Sequence, residues 1–272
     1  MIREFYLHLV SDSTGETLGT VARAVCAQFD GAEPLEHLHS LIRSERQLQH
    51  AIESIAARPG IVFFTLVNPG LRKVLEESCV RLGIPCVSIL DRAVQILGGY
   101  LGAEESHKPG GQHEMDSRYL DRVEAVNFTL QHDDGQSTKD LNAADVILVG
   151  ASRTSKTPTC VYLAIRGVRA ANVPVVPGAE LPDELFSAMK PLIVGLWATP
   201  DRLLQVRRQR LSTIGETRGM EYTDEESVRA EVAFTRKLFE RHDWRAIDVS
   251  RRSIEETAAT ILSWLAERKG AA

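Results

Sequence analysis

The chain has 272 residues, of which 43% are hydrophobic and 25% are charged, and its formal net charge is -5. This composition predicts a folded protein with room for one large domain or two ordinary ones. The net negative charge argues against a general nucleic-acid-binding protein, which usually carries a basic excess. The first residues lack a signal-peptide apolar region, and no apolar run approaches the ~20 residues that cross a bilayer. We expect a cytoplasmic protein that binds neither nucleic acid nor a membrane.

Short apolar runs alternate with helical patterns over the first hundred residues, which is typical of a parallel α/β sheet. Strands are predicted over residues 5–10, 35–41, 61–67 and 86–90. Helices are predicted over residues 45–57, 71–82 and 92–100, and after the first strand to about residue 29. The run over 61–67 is almost continuously apolar, as expected for a strand covered on both faces.

The pattern weakens over residues 102–112, and a second α/β series follows a predicted helix over 116–131. Its strands are predicted over residues 146–149, 172–176, 192–197 and 246–249, and its helices over 156–165, 202–211, 225–242 and 254–268. We therefore predict two α/β domains with largely parallel sheets, residues 1–115 and 116–272, with the boundary between 105 and 140. The second is predicted to be a P-loop kinase-like nucleotide-binding domain.

Residues 150–157, GASRTSKT, join a predicted strand to a predicted helix and match the phosphate-loop pattern GxxxxGK[ST] except at Ser155. A serine in place of the second glycine has less backbone freedom and adds a Cβ near the phosphate. The amide N–H groups of such a loop point inward, and the helix that follows adds partial positive charge. The predicted nucleotide-binding residues are Gly150, Ala151, Ser152, Arg153, Thr154, Ser155, Lys156 and Thr157. The alternative is an ordinary strand–turn–helix with capping by serine and threonine.

The loop's side chains suggest individual roles. Lys156 can reach the bridging and terminal phosphate oxygens, the Thr157 hydroxyl can ligate Mg²⁺, and Arg153 can neutralise developing charge. Asp248, at the end of a later predicted strand, is a candidate to orient Mg²⁺ through water. It could instead cap the end of that strand.

A second candidate site is HLVSDSTGET, residues 8–17, where a predicted strand also meets a predicted helix. Hydroxyls, a carboxylate and a flexible turn at a helix amino terminus can bind an anion. The residues concerned are Ser11, Asp12, Ser13, Thr14 and Gly15. The alternative is a capping box, with Ser13 as the cap and Glu16 three residues later.

Two further features are compatible with phosphate chemistry. Asp133, in the segment HDDG, could act as a metal ligand or a general base, although DDG more often marks a turn. Arg207 and Arg210 are three residues apart on a predicted helix and could clamp a phosphate. A solvated basic helix face is the alternative for this pair.

Taken in order along the chain, these segments resemble the bacterial and plastid pyruvate, phosphate dikinase regulatory proteins, a family of bifunctional kinase/phosphorylases. The resemblance covers nearly the whole chain and includes HLVSDSTGET, HDDG, GASRTSKTPTCVYLA, RAANVPVVP, TPDRLLQVRRQRL and WRAIDVSRRSIEETA. The family's loop often has serine where a Walker loop has glycine, as at Ser155. A sister branch regulates phosphoenolpyruvate synthase, and the intact SDSTGET is more similar to the dikinase branch.

The resemblance implies an enzyme that uses ADP to phosphorylate a threonine near the catalytic histidine of pyruvate, phosphate dikinase, which inactivates that target. It also implies the reversal by phosphorolysis, in which inorganic phosphate attacks the phosphothreonine and pyrophosphate leaves. Mg²⁺ and a homodimer are expected, and phosphoenolpyruvate synthase is the alternative protein partner.

Within that frame we hypothesise a single phosphoryl position at residues 150–157 for both reactions. Asp12 or Asp133 would accept the threonine proton. The SDSTG turn would bind a second phosphate or the target's loop. A nucleoside-monophosphate-type small-molecule kinase and a non-catalytic nucleotide-sensing module are the competing interpretations.

Overall fold

The computed structural model of the chain describes residues 3–111, 117–135, 137–214 and 220–270. The chain divides into two compact units, Met1–Glu114 and Met115–Ala272. The predicted domain boundary at 115/116 falls among residues 112–116, which lie outside the described residues, so its position stays a prediction. No helix in the described part of the chain is long and apolar enough to cross a membrane.

The amino-terminal unit is a parallel sheet with a helix after each strand. Its strands are β1 (Arg3–Ser11), β2 (Ala32–His39), β3 (Ile61–Thr65) and β4 (Cys86–Ser88), in the spatial order β2-β1-β3-β4. All the pairings between these strands are parallel. Its helices are α1 (Glu16–Cys26), α2 (Glu45–Ala57), α3 (Pro69–Leu82) and α4 (Asp91–Leu101).

Strand β3 shows why a continuous apolar run was expected at the centre of this unit. Val62 and Phe64 belong to one hydrophobic core, whereas Ile61 and Phe63 pack against a second core. Because successive side chains of a strand point to opposite faces, a strand between two cores must be apolar at every position. The prediction for this strand is confirmed.

The carboxy-terminal unit repeats this architecture with more helices. Its strands are β5 (Val146–Gly150), β6 (Ala170–Pro174), β7 (Leu192–Trp197) and β8 (Arg245–Asp248), all parallel and in the order β6-β5-β7-β8. Its helices are α5 (Ser117–Gln131), α6 (Lys156–Ala164), α7 (Asp183–Ser187), α8 (Pro200–Ile214), α9 (Glu225–Arg241) and α10 (Ile254–Gly270). The predicted α/β class with parallel sheets is confirmed.

The bounds predicted for the second strand were wrong. The observed strand begins at Ala32 rather than at residue 35. Glu33, Pro34 and Glu36 make this stretch unlike a buried strand. In the structure β2 pairs with β1 and lies at the edge of its sheet, where polar residues and proline are tolerated.

In each sheet the spatial order of the strands reverses at the first strand of the unit. The second strand of each unit lies on one side of the first, and the third strand lies on the other. Open parallel sheets bind ligands at such a switch point, beyond the carboxyl ends of the strands. The loop after β1 and the loop after β5, which carry the two predicted anion sites, both lie at this position.

Candidate active site

The loop after β5 is held tightly against the neighbouring strand. A Cβ added to Gly150 would lie 2.2 Å from the carbonyl oxygen of Leu196 on β7, so only glycine fits there. Thr154 is fully buried, and its hydroxyl donates a hydrogen bond of 2.9 Å to the carbonyl oxygen of Ala151. The loop is therefore a closed turn between a buried strand and the start of α6.

Ser155 has the backbone conformation that the phosphate-loop pattern assigns to glycine. Its φ of 59° and ψ of 23° lie in the left-handed region, and Arg153 also has a positive φ of 72°. For a residue with a Cβ this conformation costs about 1–2 kcal/mol. Ser155 makes no side-chain capping bond within the described residues, so the geometry does not favour the ordinary capping alternative.

Lys156 is buried within this loop. It is 5% exposed, and its Nζ donates a 2.9 Å hydrogen bond to the carbonyl oxygen of Ala151. Burial lowers the pKa of Lys156 to about 8, although the charges of Asp134 and Asp133 act to raise it. A buried ammonium group is stabilised by a nearby anion, so a phosphate bound in the loop would hold Lys156 in its charged form.

A hydrogen-bonded group of three side chains lies beside the loop. The Thr157 hydroxyl donates to Oδ1 of Asp133 at 2.9 Å, and Nδ2 of Asn172 donates to the same oxygen at 2.7 Å. Nδ2 of Asn172 also lies 3.0 Å from the Thr157 hydroxyl. Asn172 is 1% exposed, and its Oδ1 has no hydrogen-bond partner in the described part of the chain.

The HDDG segment is fixed against β6 by its backbone. The backbone amide of Asn172 donates to the carbonyl oxygen of His132, at 3.0 Å. The backbone amide of Gly135 donates to the backbone carbonyl oxygen of Asn172, also at 3.0 Å. The buried His132 ring stacks on Phe128 and lies 2.8 Å from that residue's carbonyl oxygen. These contacts position Asp133 next to Thr157, which a surface turn alone would not do.

The Thr157 and Asp133 oxygens suit Mg²⁺. Adjacent oxygen ligands of an octahedral Mg²⁺, each about 2.0–2.1 Å from the ion, are about 3 Å apart. The Thr157 hydroxyl and Asp133 Oδ1 have this separation. Within the described residues there is no cluster of three or more histidine, cysteine or acidic side chains suited to a metal, but Mg²⁺ usually combines one or two carboxylates with phosphate and water.

Asp248 is not brought to Thr157. It ends β8, which is separated from β5 by β7, whereas Asn172 contacts Thr157 from β6 on the opposite side. The Asp248 carboxylate accepts hydrogen bonds from the amide and the hydroxyl of Ser250, at 2.9 and 2.5 Å. These contacts favour the alternative that Asp248 caps the end of its strand.

The two predicted arginines of α8 have different environments. Arg207 is 2% exposed; it forms an ion pair with Glu231 at 2.8 Å and donates to the carbonyl oxygen of Ser152 in the loop at 3.2 Å. Arg210 is exposed. The pair is therefore not assembled as a phosphate clamp, and Arg207 instead bonds to the backbone of the loop at Ser152.

Tyr222 contacts both Arg207 and the exposed Arg153. The Arg207 guanidinium lies 4.6 Å from the Tyr222 ring centre, and Arg153 Nε donates to the Tyr222 hydroxyl at 3.2 Å. Burial acts to raise the pKa of Tyr222, but hydrogen bonds with Ser152 and Arg153 and the nearby arginine charges lower it overall. Tyr222 thus contacts both Arg153 and Arg207.

The turn after β1 is held in place by hydrogen bonds to neighbouring residues of its own unit. The carboxylate of Asp12, which is 4% exposed, accepts a 2.7 Å hydrogen bond from the Val67 amide. The Ser11 hydroxyl accepts bonds from the Ser13 amide at 3.2 Å and from the Thr65 hydroxyl at 3.1 Å. These bonds hold the turn against the carboxyl end of β3.

The capping-box alternative for this turn is wrong. Helix α1 begins at Glu16, and its amino-terminal cap is Gly15, with a φ of 81° and no side-chain capping bond within the described residues. Ser13, Thr14 and Gly15 instead line a small cavity of about 160 Å³. This cavity lies at the switch point of the first sheet, where an anion site was predicted.

Comparison with known proteins adds to this geometry. The family model described as kinase/pyrophosphorylase matches residues 7–262. The chain belongs to this kinase/pyrophosphorylase family. Relatives include a protein of Caulobacter vibrioides, 54% identical over 98% of this chain and 84% of its own length, and one of Hyphomonas neptunium, 52% identical over 98% and 96%. A third, from Maricaulis maris, is 49% identical over 97% of this chain and 95% of its own length.

All three relatives carry the name "Putative pyruvate, phosphate dikinase regulatory protein". The family resemblance predicted from the ordered motifs is therefore confirmed. The motifs span most of the chain, and so does the family match.

Sequence reasoning missed three residues that shape the candidate site of this family member: Asn172, Tyr222 and Glu231. Asn172 did leave a signal, because it is the polar first residue of the otherwise apolar strand predicted over 172–176, and a buried amide there must find partners. Glu231 and Tyr222 left no comparable signal, since each contacts the site from a distant part of the chain.

Proposed function

We propose that this kinase/pyrophosphorylase uses ADP to phosphorylate a threonine of pyruvate, phosphate dikinase and so inactivates it. We also propose that it restores the dikinase by phosphorolysis with inorganic phosphate. The names of the relatives support the dikinase as protein substrate, and the family description supports both a kinase and a pyrophosphate-forming activity. The observation that carries the proposal is the closed loop after β5, with Lys156 buried inside it and Asp133 held against Thr157.

The two proposed reactions move the same group. In the kinase direction the threonine oxygen attacks the β-phosphorus of ADP, the bond to the bridging oxygen breaks, and AMP leaves. In the reverse direction an oxygen of inorganic phosphate attacks the phosphothreonine phosphorus, and the threonine oxygen leaves and takes up a proton. Since AMP and inorganic phosphate are interchangeable partners of one phosphoryl group, a single phosphoryl position serves both reactions.

The residues at the loop have distinct proposed roles. The amide groups of the loop and the Lys156 ammonium stabilise the charge on the transferring phosphoryl group. Thr157 and Asp133 would hold Mg²⁺, which would supply further neutralisation of phosphate charge. Arg153 would neutralise phosphate charge, and Arg207 keeps Ser152 in place.

Asp133 is the better supported general base of the two candidates. Its Oδ1 accepts bonds from Thr157 and Asn172, while no hydrogen bond from the described residues reaches its Oδ2. That second oxygen can accept the threonine proton if the hydroxyl comes within about 3 Å. Asp12 is buried, and its carboxylate is already bound to the Val67 amide.

Transfer of label tests the proposal. Purified pyruvate, phosphate dikinase, phosphorylated on its catalytic histidine, is incubated with the protein and ADP labelled in the β-phosphate. We expect label on a dikinase threonine and stoichiometric AMP, followed by labelled pyrophosphate when inorganic phosphate is added. The same assay on phosphoenolpyruvate synthase decides between the two protein partners.

Two results would replace this proposal with the competing interpretations. Rapid phosphorylation of a small metabolite without any protein acceptor would identify a small-molecule kinase. Tight ADP binding without transfer to either protein would identify a nucleotide-sensing module.

A further inference from the structure

A large cleft opens directly from the loop of the candidate site. It has a volume of about 980 Å³, and its polar lining residues include Ser152 of the loop, Arg207 and Asp134. Its apolar lining residues include Val176, from the segment after β6, and Phe234, from α9. These two side chains are 54% and 46% exposed, although both are large and hydrophobic.

The position of the candidate base relates this cleft to the reaction. Asp133 is hydrogen-bonded to Asn172 on β6, and its neighbour Asp134 lines the cleft. The base must lie within about 3 Å of the hydroxyl whose proton it accepts. An acceptor that enters through this cleft would reach the loop on the side where Asp133 stands.

In-line transfer then restricts the position of the nucleoside. The attacking and leaving oxygens lie on opposite sides of the transferred phosphoryl group. If the acceptor hydroxyl arrives from the β6 side, AMP must leave on another side. A second cleft, of about 850 Å³, lies at the carboxyl ends of β7 and β8, where Thr199 and Asp248 line it. This second cleft is a candidate for the nucleoside, which leaves the first cleft to the acceptor.

We infer that the cleft between Val176 and Phe234 binds the segment of the target protein that carries the acceptor threonine, with apolar side chains of that segment against these two residues. This inference rests on the proposed function and adds its protein-binding surface. Exposed apolar walls suit side chains of a protein partner. The polar lining residues Ser152 and Asp134 suit the hydroxyl.

The test separates binding of the protein from binding of the nucleotide. Val176→Asp and Phe234→Ala should each raise KM for the dikinase about tenfold while kcat stays within about twofold, because they remove binding that is equal in ground and transition states. Calorimetric titration with ADP should give the wild-type Kd for both variants. Ile165 is 57% exposed, ends α6 and does not line this cleft, so Ile165→Asp and Ile165→Ala are matched controls.

Thermal unfolding of each variant verifies that it is folded before the kinetic comparison. Weaker ADP binding with an unchanged KM for the dikinase would overturn the inference and assign the cleft to the nucleoside. An unchanged KM and an unchanged ADP Kd would also overturn it. If the wild-type protein transfers label from ADP to neither protein, the proposed function itself fails, a result visible before any variant is made.

Discussion

The two units share a strand-to-helix corner at the same place in the fold, but different side chains line it. In each unit, the loop after the first strand lies at the switch point of a four-stranded parallel sheet. It leads into a helix whose amino-terminal cap residue has a left-handed backbone conformation. In the amino-terminal unit that cap is Gly15, and the acidic Asp12 is bound to the protein's own backbone. In the carboxy-terminal unit the cap is Ser155, and a buried lysine, Lys156, begins the helix.

The comparison teaches that topology supplies the place for an anion and side chains supply the chemistry. In the first corner the Asp12 carboxylate and the Ser11 hydroxyl are bonded within the turn, to the Val67 amide and the Thr65 hydroxyl. The second corner has a cation inside and a carboxylate beside it. The proposed phosphoryl transfer is therefore placed at the second corner, and both this and anion binding at the first corner stay predictions.

The largest expected effect separates the two aspartates. Asp133→Asn keeps the shape of the side chain but removes the carboxylate proposed both as base and as Mg²⁺ ligand, so we expect kcat to fall at least about 10²–10⁴-fold. Asp12→Asn should leave kcat within a few-fold and lower the free energy of unfolding by about 1 kcal/mol, because a charged hydrogen bond becomes a neutral one. Rates of dikinase phosphorylation and denaturant unfolding of both variants measure these effects.

The reverse pattern, with Asp12→Asn inactive and Asp133→Asn active, would move the base to the first corner. Comparable losses in both variants would mean that the two corners act together in the reaction.

The pH dependence of ADP binding should identify the buried lysine. Because burial lowers the pKa of Lys156 to about 8, the free protein loses this charge above that pH, and ADP must restore it. We expect the Kd for ADP to rise by up to about tenfold per pH unit above pH 8, with proton uptake on binding. Calorimetry in buffers of different ionisation enthalpy measures the protons, and Lys156→Met should abolish their uptake.

The same residue should affect stability in the opposite direction. Between about pH 8 and 10.5 the folded state binds fewer protons at Lys156 than the unfolded state. Its contribution to the free energy of unfolding therefore rises with pH across this window. A contribution that instead falls over the window, judged against Lys156→Met, would contradict the assigned burial.

The smallest effect concerns the two helix caps. Ser155→Gly relieves a left-handed serine and should stabilise the protein by about 1 kcal/mol or less, since glycine also loses more entropy on folding. Gly15→Ser should destabilise it by at least about 1–2 kcal/mol from backbone strain. The added Cβ would also lie 2.5 Å from Leu38 Cδ1. Denaturant midpoints measure both changes, and equal shifts of the same sign would refute the comparison.

Features that depend on residues close together in the chain could be predicted from the sequence, whereas features that depend on distant residues could not. The apolar runs of β3 and β5 predicted buried parallel strands, because every position of such a strand meets a core. The edge strand β2 was misplaced, since only tertiary position makes Pro34 acceptable in a strand. The candidate phosphate loop could be predicted because its residues are consecutive in the chain.

The rest of the site depends on contacts between distant residues. Asp133 reaches Thr157 because the HDDG backbone pairs with Asn172 on β6, and nothing local to HDDG reveals this. The i,i+3 spacing of Arg207 and Arg210 suggested a shared role. Burial separates them, because Glu231 on α9 draws Arg207 inward.

Replacement of the buried lysine tests most directly whether one loop serves both reactions. For Lys156→Ala we expect the rates of ADP-dependent phosphorylation and of phosphate-dependent dephosphorylation to fall together, each by about 10²–10³-fold. Lys190→Ala, at an exposed position of the same unit, should leave both rates unchanged. A Lys156→Ala protein that loses phosphorylation but retains phosphorolysis would contradict a shared phosphoryl position.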